Sequence, residues 1–323
     1  MHQFLINQSA TFGGTTVNID DDIDNGPVLN ANNGAKTYSS YTFESLDYPG
    51  AILTWAQGAN DISDGAMINS SGPVGQIVGF FWDSSGNAHG FLPDGLVAWT
   101  QIDYPGALYT WATAVNNSGL VVSTWEDSKG ADHAFTYNST SGAFTSANYP
   151  SATTTQAWGI NDADQAVGWY YDSAGAEHGF LYYASKFYSI DYPGTAGVTE
   201  AFGINGDGVT SGAYIGSGIH NSFVQYPVPP TWTGNFTSFS SAGAIGTWGY
   251  AIDNDNDLVG TYELSQSSVY GFVLTNNVLL NYFQYPGPSI TYAQGTNDFG
   301  QIVGSYQDSS QKTHLFVALP QPE

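Results

Sequence analysis

Arginine and cysteine are both absent from this 323-residue chain, and only four lysines stand against 28 acidic residues. The formal net charge at pH 7 is therefore −24. Nucleic acids and anionic membranes are bound through basic patches, so this balance argues against both as partners. A cation, a basic protein or a neutral polar ligand stays compatible with it. Without cysteine, neither a disulfide framework nor a thiolate metal site can form.

Long apolar runs are missing as well. No stretch of 18 apolar residues occurs, which argues against membrane insertion, and no signal-peptide pattern is present. No useful length shows the 3.6-residue period of an amphipathic helix. Apolar residues nevertheless make up 41% of the chain and aromatic residues 15%. That content is sufficient for a folded core and is not typical of a disordered chain.

The sequence is organised around a repeat. The segment Ile-Asp-Tyr-Pro-Gly-Ala at residues 102–107 recurs in clear or degenerate form, with repeats beginning near residues 47, 103, 148, 191, 240 and 284. Each repeat contains four short runs rich in aromatic and β-branched residues, separated by turns of Asn, Asp, Gly and Ser. These runs are typical of strands and hairpins. Four short strands in a repeat of about 45 residues predict one blade of a β-propeller.

The number of blades was counted from the turn that follows the first strand. Six copies are clear, and Asp20-Asp21 resembles a degenerate seventh. We therefore predict an all-β fold, a single seven-bladed β-propeller of four-stranded blades over residues 1–323. The last repeat ends after its third strand, and residues 2–7 have the spacing of a fourth. This predicts that the N-terminal strand, residues 2–7, pairs with residues 313–319 and closes the ring, which would remove two open sheet edges.

A family resemblance follows from the third strand of the repeat. The four residues from Asp132, which read Asp-His-Ala-Phe, contain a His-Ala-Phe motif, and residues 89–92 and 178–181 are close relatives of it. The chain resembles the HAF-repeat family of extracellular bacterial proteins over most of residues 45–319. The resemblance implies a secreted or surface repeat protein of propeller type. It implies no activity and no catalytic residues, and two repeats depart from it, with Asn221 and Tyr270 in place of histidine.

The repeated histidines and the acidic runs are candidates for metal binding. One position of the third strand is a histidine in four blades, namely His89, His133, His178 and His314. Equivalent positions of different blades are too far apart to share a metal ion. We therefore expect each histidine to be hydrogen-bonded within its own blade, for example to the aspartate of a nearby turn. The runs at residues 20–24 and 253–257 alternate oxygen-bearing residues as calcium loops do, which makes Asp20, Asp22, Asp253 and Asp255 weak calcium candidates. They lack the glycine and glutamate of an EF-hand loop and fall at hairpin turns, where Asp and Asn are favoured for conformation alone. No cofactor is otherwise expected.

The innermost strands carry the strongest candidates for a ligand site. Five residues before the turn, most repeats have a large aromatic residue, whereas one repeat has Glu200. A carboxylate is costly to bury unpaired, so Glu200 is expected to face the channel or to find a partner. Aromatic faces stack on sugar rings, and a few polar groups on an apolar wall are typical of ligand sites. The predicted ligand-binding residues are Trp55, Trp111, Glu200, Trp248 and Tyr292, and the competing interpretation places these rings between the blades as core.

Three functions stay open on the sequence alone. The leading interpretation is a secreted or surface module that binds carbohydrate at the channel mouth or on the loop face. A polysaccharide hydrolase or lyase using carboxylates at the channel mouth, with Glu200 as the catalytic candidate, is the enzymatic alternative. A purely structural surface protein is the third. No nucleophile elbow, metalloprotease motif or phosphate loop is present to favour an enzyme.

Overall fold

The structure is a computed structural model that describes residues 8–12, 15–19, 40–61, 75–94, 98–195, 197–229, 231–275, 278–287 and 290–321. Over these ranges the chain forms 26 β-strands joined by turns, and none of the ranges contains a helix, so no helix in them could cross a membrane. The predicted all-β class is confirmed.

Most strands are grouped in fours that each make one blade. Three strands precede the first complete group: β1 (Gln8–Phe12), β2 (Thr15–Ile19) and β3 (Ser40–Leu46). The first blade contains β4 (Leu53–Ala59), β5 (Ile77–Trp82), β6 (Ala88–Asp94) and β7 (Ala98–Ile102). The second contains β8 (Tyr109–Val115), β9 (Leu120–Glu126), β10 (Asp132–Asn138) and β11 (Ala143–Ser146). The third contains β12 (Thr154–Ile160), β13 (Ala166–Tyr171), β14 (Glu177–Tyr183) and β15 (Lys186–Ile190).

The second half of the chain continues the same pattern. The fourth blade contains β16 (Thr199–Ile204), β17 (Thr210–Gly216), β18 (Ile219–Val228) and β19 (Thr233–Phe239). The fifth contains β20 (Gly246–Ile252), β21 (Leu258–Ser265), β22 (Ser268–Thr275) and β23 (Val278–Phe283). The last three strands are β24 (Ile290–Thr296), β25 (Ile302–Gln307) and β26 (Thr313–Gln321). Successive strands within each blade pair antiparallel, so the predicted four-stranded blades of a propeller are confirmed.

The start of the inner strand in each blade is fixed by a side-chain hydrogen bond. Near its start, a buried threonine accepts a hydrogen bond from the main-chain N–H of the second residue of the Asp-Tyr-Pro loop or its counterpart; the pairs are Thr54 with Tyr48, Thr110 with Tyr104, Thr155 with Tyr149, Thr199 with Tyr192, Thr247 with Ser241 and Thr291 with Tyr285. Each inner strand also contains a register shift with one extra residue, as between Ala56 and Gly58. Such a bulge bends the strand and re-aims its side chains.

The predicted count of seven blades is wrong, because the last and first blades of the described chain are direct neighbours. The Nδ2 of Asn297 donates to the main-chain oxygen of Asn60 at 2.9 Å, and the N–H of Asp298 donates to Oδ1 of Asp61 at 2.6 Å. Similar hydrogen bonds join each of the other consecutive blades, so nothing separates the sixth blade from the first. The degenerate copy at residues 20–21, on which the count of seven depended, lies outside the described ranges.

The strand that completes the last blade also differs from the prediction. β3 pairs antiparallel with β26, with Phe43 opposite Ala318, and so supplies the fourth strand that the sixth blade lacks. This is the place assigned to residues 2–7, which are not among the described residues. β1 lies parallel to the outer side of β3 and carries β2 as a hairpin. Hydrogen bonds between strands do not form one continuous sheet around the ring. The strands instead form one 14-stranded sheet and three 4-stranded sheets.

The joins between blades are made largely by buried asparagine side chains at the turn that ends each inner strand. In each of five blades, the Nδ2 of this asparagine donates to the main-chain oxygen of the corresponding residue in the next blade; the donors are Asn60, Asn116, Asn161, Asn205 and Asn297. Oδ1 of Asn161 meanwhile accepts from the N–H groups of Ala163 and Gln165 in its own turn. One carboxamide therefore shapes a turn and links two blades.

Aromatic stacking organises the middle of each blade. Tyr149 of an Asp-Tyr-Pro loop or its counterpart stacks on Tyr170 of the second strand at 3.6 Å between ring centroids, and Tyr170 stacks on His178 at 5.3 Å. Nδ1 of His178 lies 2.7 Å from Asp191, and its Nε2 lies 3.6 Å from Asp172 of the hairpin turn. The prediction that the histidine is held within its own blade by the turn aspartate is confirmed, and a second carboxylate, from the loop that follows, is added to it.

A turn aspartate also lies beside the corresponding histidine of three other blades. Nε2 of His89 lies 3.5 Å from Asp83. Nε2 of His133 lies 3.3 Å from Asp127, and Nε2 of His314 lies 3.2 Å from Asp308. Nδ1 of His314 lies 2.8 Å from Asp47, which immediately follows β3. This last contact ties the end of the chain to the strand that completes the sixth blade.

We expect Phe43→Ala to lower the free energy of unfolding by about 3–5 kcal/mol, because the Phe43 side chain is fully buried among Phe283, Tyr285 and Phe316. Chemical denaturation measures this change. Leu108→Ala, at a side chain that is 50% exposed, is the control and should change stability by less than about 0.5 kcal/mol. Equal effects of the two variants would show that β3 does not hold the sixth blade.

His178→Ala should lower the free energy of unfolding by about 1–3 kcal/mol, through the lost stacking on Tyr170 and the lost contacts with Asp172 and Asp191. His178→Asn, which copies the residue that the fourth blade has at Asn221, should recover part of this loss. Thermal or urea denaturation is the measurement. A melting profile that is unchanged in both variants would contradict the structural role of the histidines.

Candidate functional site

The channel between the inner strands is lined by one side chain from each blade, three residues before the turn. These side chains are Gln57, Thr113, Trp158, Phe202, Tyr250 and Gln294. The end of the channel at the turns is lined by the linking asparagines and by the residue after each of them, including Asp61, Asp162 and Asp298. The aromatic half of the channel, at Trp158, Phe202 and Tyr250, therefore belongs to the third, fourth and fifth blades.

The five predicted ligand-binding residues are all half-buried, but they do not form one site. Trp55 lies against Tyr292 across the join of the first and sixth blades, with ring centroids 5.2 Å apart. Trp111 lies beside Tyr109 of its own strand, 5.9 Å away. Glu200 and Trp248 are brought together through a further residue, described next. The predicted constellation thus separates into three places on the ring.

Glu200 lies on β16 opposite Ala213 of β17. Its Oε2 is 3.7 Å from Nε2 of His220, on the third strand of the same blade. The His220 ring in turn lies 5.0 Å from the ring of Trp248. Burial lowers the pKa of His220, which favours the neutral imidazole at this point.

A second carboxyl group reaches Glu200 from the neighbouring blade. Glu177 begins β14, and its main-chain N–H donates to Gly197 O at 3.1 Å, which holds the third blade against the fourth. Burial raises the pKa of Glu200 to about 8, and the neighbouring carboxyl group of Glu177 adds to this rise. Burial likewise raises the pKa of Glu177. The pair therefore holds a proton at neutral pH that an ordinary glutamate would have lost.

Aromatic side chains surround this carboxyl pair. Tyr171 is the strand neighbour of Glu177, and its pKa is raised to about 12 by burial and by interaction with Glu177. Trp169 lies 5.4 Å from Tyr171 in edge-to-face geometry and belongs to the same buried cluster as Phe202 and Ala213. Trp158, Trp248 and Tyr250 pack against that cluster. The carboxyl groups thus lie in a largely aromatic wall.

Three buried polar atoms of this wall have no hydrogen-bond partner among the described residues. They are Oε1 of Glu177, Oε2 of Glu200 and Nε1 of Trp169. Glu177 and Trp169 are each only 8% exposed, so solvent reaches them little. Buried polar groups in folded proteins are almost always paired, and an unpaired one usually has a functional or ligand-related explanation. Two acceptors and one donor are therefore available here to a bound molecule.

Sequence reasoning found Glu200 but missed Glu177, Tyr171, His220 and Trp169. A signal for two of them was present in the repeat. The residue immediately before the third-strand histidine position is Glu177 in the third blade and His220 in the fourth, whereas it is Ala88 in the first. The same position in the second blade holds Asp132, whose Oδ2 accepts a hydrogen bond from Gln156 of the third blade at 2.6 Å. A residue at this position faces the residue that lies five before the turn in the inner strand of the next blade. The arrangement of the blades in space, and not the sequence, reveals this pairing.

The calcium candidates take conformational roles where the structure describes them. Asp20 and Asp22 lie outside the described ranges. Asp253 is buried, and its Oδ1 accepts from the N–H groups of Asp255 and Asp257, as the asparagines do in other blades. No group of three or more His, Cys, Asp or Glu side chains suited to a metal ion is found in the described part of the chain.

No protein-family model matches the sequence, and no curated protein matches it at a significant level. Among solved structures, AofleA from Arthrobotrys oligospora has a TM-score of 0.52 at 11% identity, covering 85% of this chain and 86% of AofleA. TolB from Acinetobacter baumannii has a TM-score of 0.48 at 8% identity; 84% of this chain is covered, and this chain spans 64% of TolB. The fucose-recognising lectin of Aleuria aurantia, a six-bladed β-propeller, has a TM-score of 0.43 at 14% identity, with coverages of 84% and 97%. At these identities the likeness concerns the fold alone.

We expect the stability of the protein to fall as pH rises from about 4.5 to about 8, because folded Glu200 keeps a proton that the unfolded chain loses near pH 4.5. Below pH 4.5 both states are protonated and the penalty vanishes. Glu200→Gln should remove this term, so the variant should gain stability over the parent across the interval. Each unit of pKa difference corresponds to about 1.4 kcal/mol, which makes the gain at pH 8 a few kcal/mol.

Urea denaturation of both proteins at several pH values measures this difference. Glu126→Gln, at another carboxyl group whose pKa is raised by burial, provides a control for a general loss of charge. If the difference between the parent and Glu200→Gln does not change with pH, Glu200 titrates as an ordinary glutamate and the buried pair does not exist as described.

Proposed function

We propose that this protein is a secreted or surface module that binds carbohydrate at the site formed by Glu177, Glu200, Tyr171, His220 and Trp248, with Trp169 behind it. One observation carries the proposal: three buried polar atoms without partners lie within a single aromatic wall between the third, fourth and fifth blades. Sugars present a ring face that stacks on aromatic residues and hydroxyl groups that both donate and accept hydrogen bonds. Such an apolar wall with a few polar groups is the usual form of a small-molecule site.

The state of the carboxyl pair is consistent with a neutral polar ligand. With the pKa of Glu200 near 8, the protonated pair offers a hydroxyl donor as well as carbonyl acceptors at neutral pH. Together with the indole N–H of Trp169, the site then presents donors and acceptors in close proximity. Two of the sequence-predicted residues, Glu200 and Trp248, belong to it. The secreted or surface location stays a prediction that rests on the resemblance to the HAF-repeat family and on the net charge of −24.

Glycoside hydrolysis by Glu177 and Glu200 is the alternative function of this site. The buried, unpaired oxygens of the two carboxyl groups favour binding, because hydrogen bonds from a ligand would satisfy them without any bond being cleaved.

Trp248→Ala should weaken glycan binding by about tenfold, equivalent to about 1.4 kcal/mol, because it removes an aromatic face on which a sugar ring would stack. A glycan array identifies the ligand, and calorimetric titration measures the affinity. Trp82→Ala is the matched control, because Trp82 is half-buried near the join of the first two blades, 5.4 Å from Tyr109, and away from the carboxyl pair. A parallel reducing-sugar assay on the same panel tests for turnover. Equal losses in both tryptophan variants, or binding to no glycan, would overturn the proposed function.

A further inference from the structure

We propose that the Glu177–Glu200 pair receives a protonated amine, so that the ligand of this site is a glycan containing amino sugars with free amino groups. The inference rests on the proposed carbohydrate-binding function and specifies its ligand class. It starts from the two carboxylate oxygens, Oε1 of Glu177 and Oε2 of Glu200, that are buried without a partner in the described chain. An ammonium group is the ligand group that supplies several hydrogen-bond donors and a compensating charge at once.

In the absence of a ligand, a bound proton neutralises part of the negative charge of the Glu177–Glu200 pair. An ammonium group would replace this proton. Two neighbouring carboxyl groups rarely both ionise in a buried site, so the pair retains one proton at neutral pH. Buried charges are tolerated when they are paired, and a cation in contact with both glutamates would pair them. Binding would therefore exchange a proton for an ammonium group, with about one proton released to solvent for each ligand that is already protonated when it binds. A neutral hydroxyl group could hydrogen-bond to the pair without releasing a proton.

The aromatic side chains around the pair suit the same ligand. The faces of Trp and Tyr rings attract cations, most strongly where the site is desolvated. Tyr171 and Tyr250 both interact electrostatically with Glu200, and Trp248 is reached through His220. An amino sugar places its ammonium group directly on a ring that can stack, so the carboxyl pair and the aromatic wall would be used together.

The charged and titratable groups around Glu200 do not supply a competing cation. Glu177 faces it from β14, Tyr171 from β13 and His220 from β18, while Tyr250 of β20 lies within its electrostatic reach. Burial favours the neutral form of His220, so this imidazole leaves the carboxyl pair uncompensated at neutral pH. Lysine is present at only four positions in the chain, and no ion pair of a lysine with Glu177 or Glu200 occurs in the described ranges.

The test uses two probes that differ only in acetylation: the β-1,4-linked tetramer of glucosamine and the same tetramer fully N-acetylated. Calorimetric titration near pH 5.5, where the amino groups of the free tetramer are already protonated, in two buffers of different ionisation enthalpy gives both the affinity and the number of protons released. The expected result is an affinity at least about tenfold higher for the free-amine tetramer, equivalent to about 1.4 kcal/mol, with release of about one proton. Glu200→Gln should abolish both the preference and the proton release.

Glu126→Gln is the matched control, since it removes the same formal charge from a carboxyl group near Asp132 that does not contact the pair. General attraction of an amine to an acidic protein would weaken equally in the two variants, whereas the proposal requires loss only in Glu200→Gln. Glu177→Gln gives a second, independent variant, and thermal melting establishes that each is folded.

Equal binding of both tetramers without proton release would overturn the amine site and leave the carbohydrate-binding function standing. So would equal losses in Glu200→Gln and Glu126→Gln, which would assign the preference to general charge attraction. Binding of neither tetramer, together with a glycan array that identifies some other sugar, would overturn the amine site. Binding of no glycan would overturn the proposed function as well.

Discussion

A buried asparagine carboxamide at the end of the inner strands is the interaction on which the ring depends. Its oxygen shapes the turn of one blade, and its nitrogen donates to the main chain of the next. A buried N–H that loses its acceptor costs about 1–3 kcal/mol, so neighbouring blades are held in one relative position. This bond fixes the geometry of the contacts between blades. It therefore also fixes the geometry of any site that spans a join. Glu177 and Glu200 meet because Asn161 links the third blade to the fourth.

Much of the fold could be predicted because its determinants are local. Turn residues, short apolar runs and a period near 45 residues define strands and blades without knowledge of distant contacts. The count and the closing strand depend on pairing between distant segments, and here the prediction was wrong. A usable signal existed: each Asp-Tyr-Pro loop follows the fourth strand of a blade, so the segment before Asp47 should also have been assigned to a fourth strand. The structure places β3 there, next to β26.

The candidate site was only half predictable for a related reason. Glu200 stands out because it replaces an aromatic residue at one position of the repeat, which a comparison of repeats detects. Its partner Glu177 lies 23 positions earlier and precedes a histidine that drew attention for other reasons. Their contact crosses a join between blades, and only the ring brings these two positions of the repeat together. Trp55, Trp111 and Tyr292 share the sequence position of Glu200 but lie at other joins.

Two side chains meet where one blade joins the next. One precedes the third-strand histidine position, and the other lies on the inner strand of the next blade. This pairing bears on how many ligands one molecule could bind. The second and third blades make this pairing with Asp132 and Gln156, the third and fourth with Glu177 and Glu200. The chemical character of these two joins is thus set by one pair of side chains at each rather than by the fold. Under the proposed function, substitution of two residues at another join could therefore add a second binding site to the molecule, without any change in the strands that carry it.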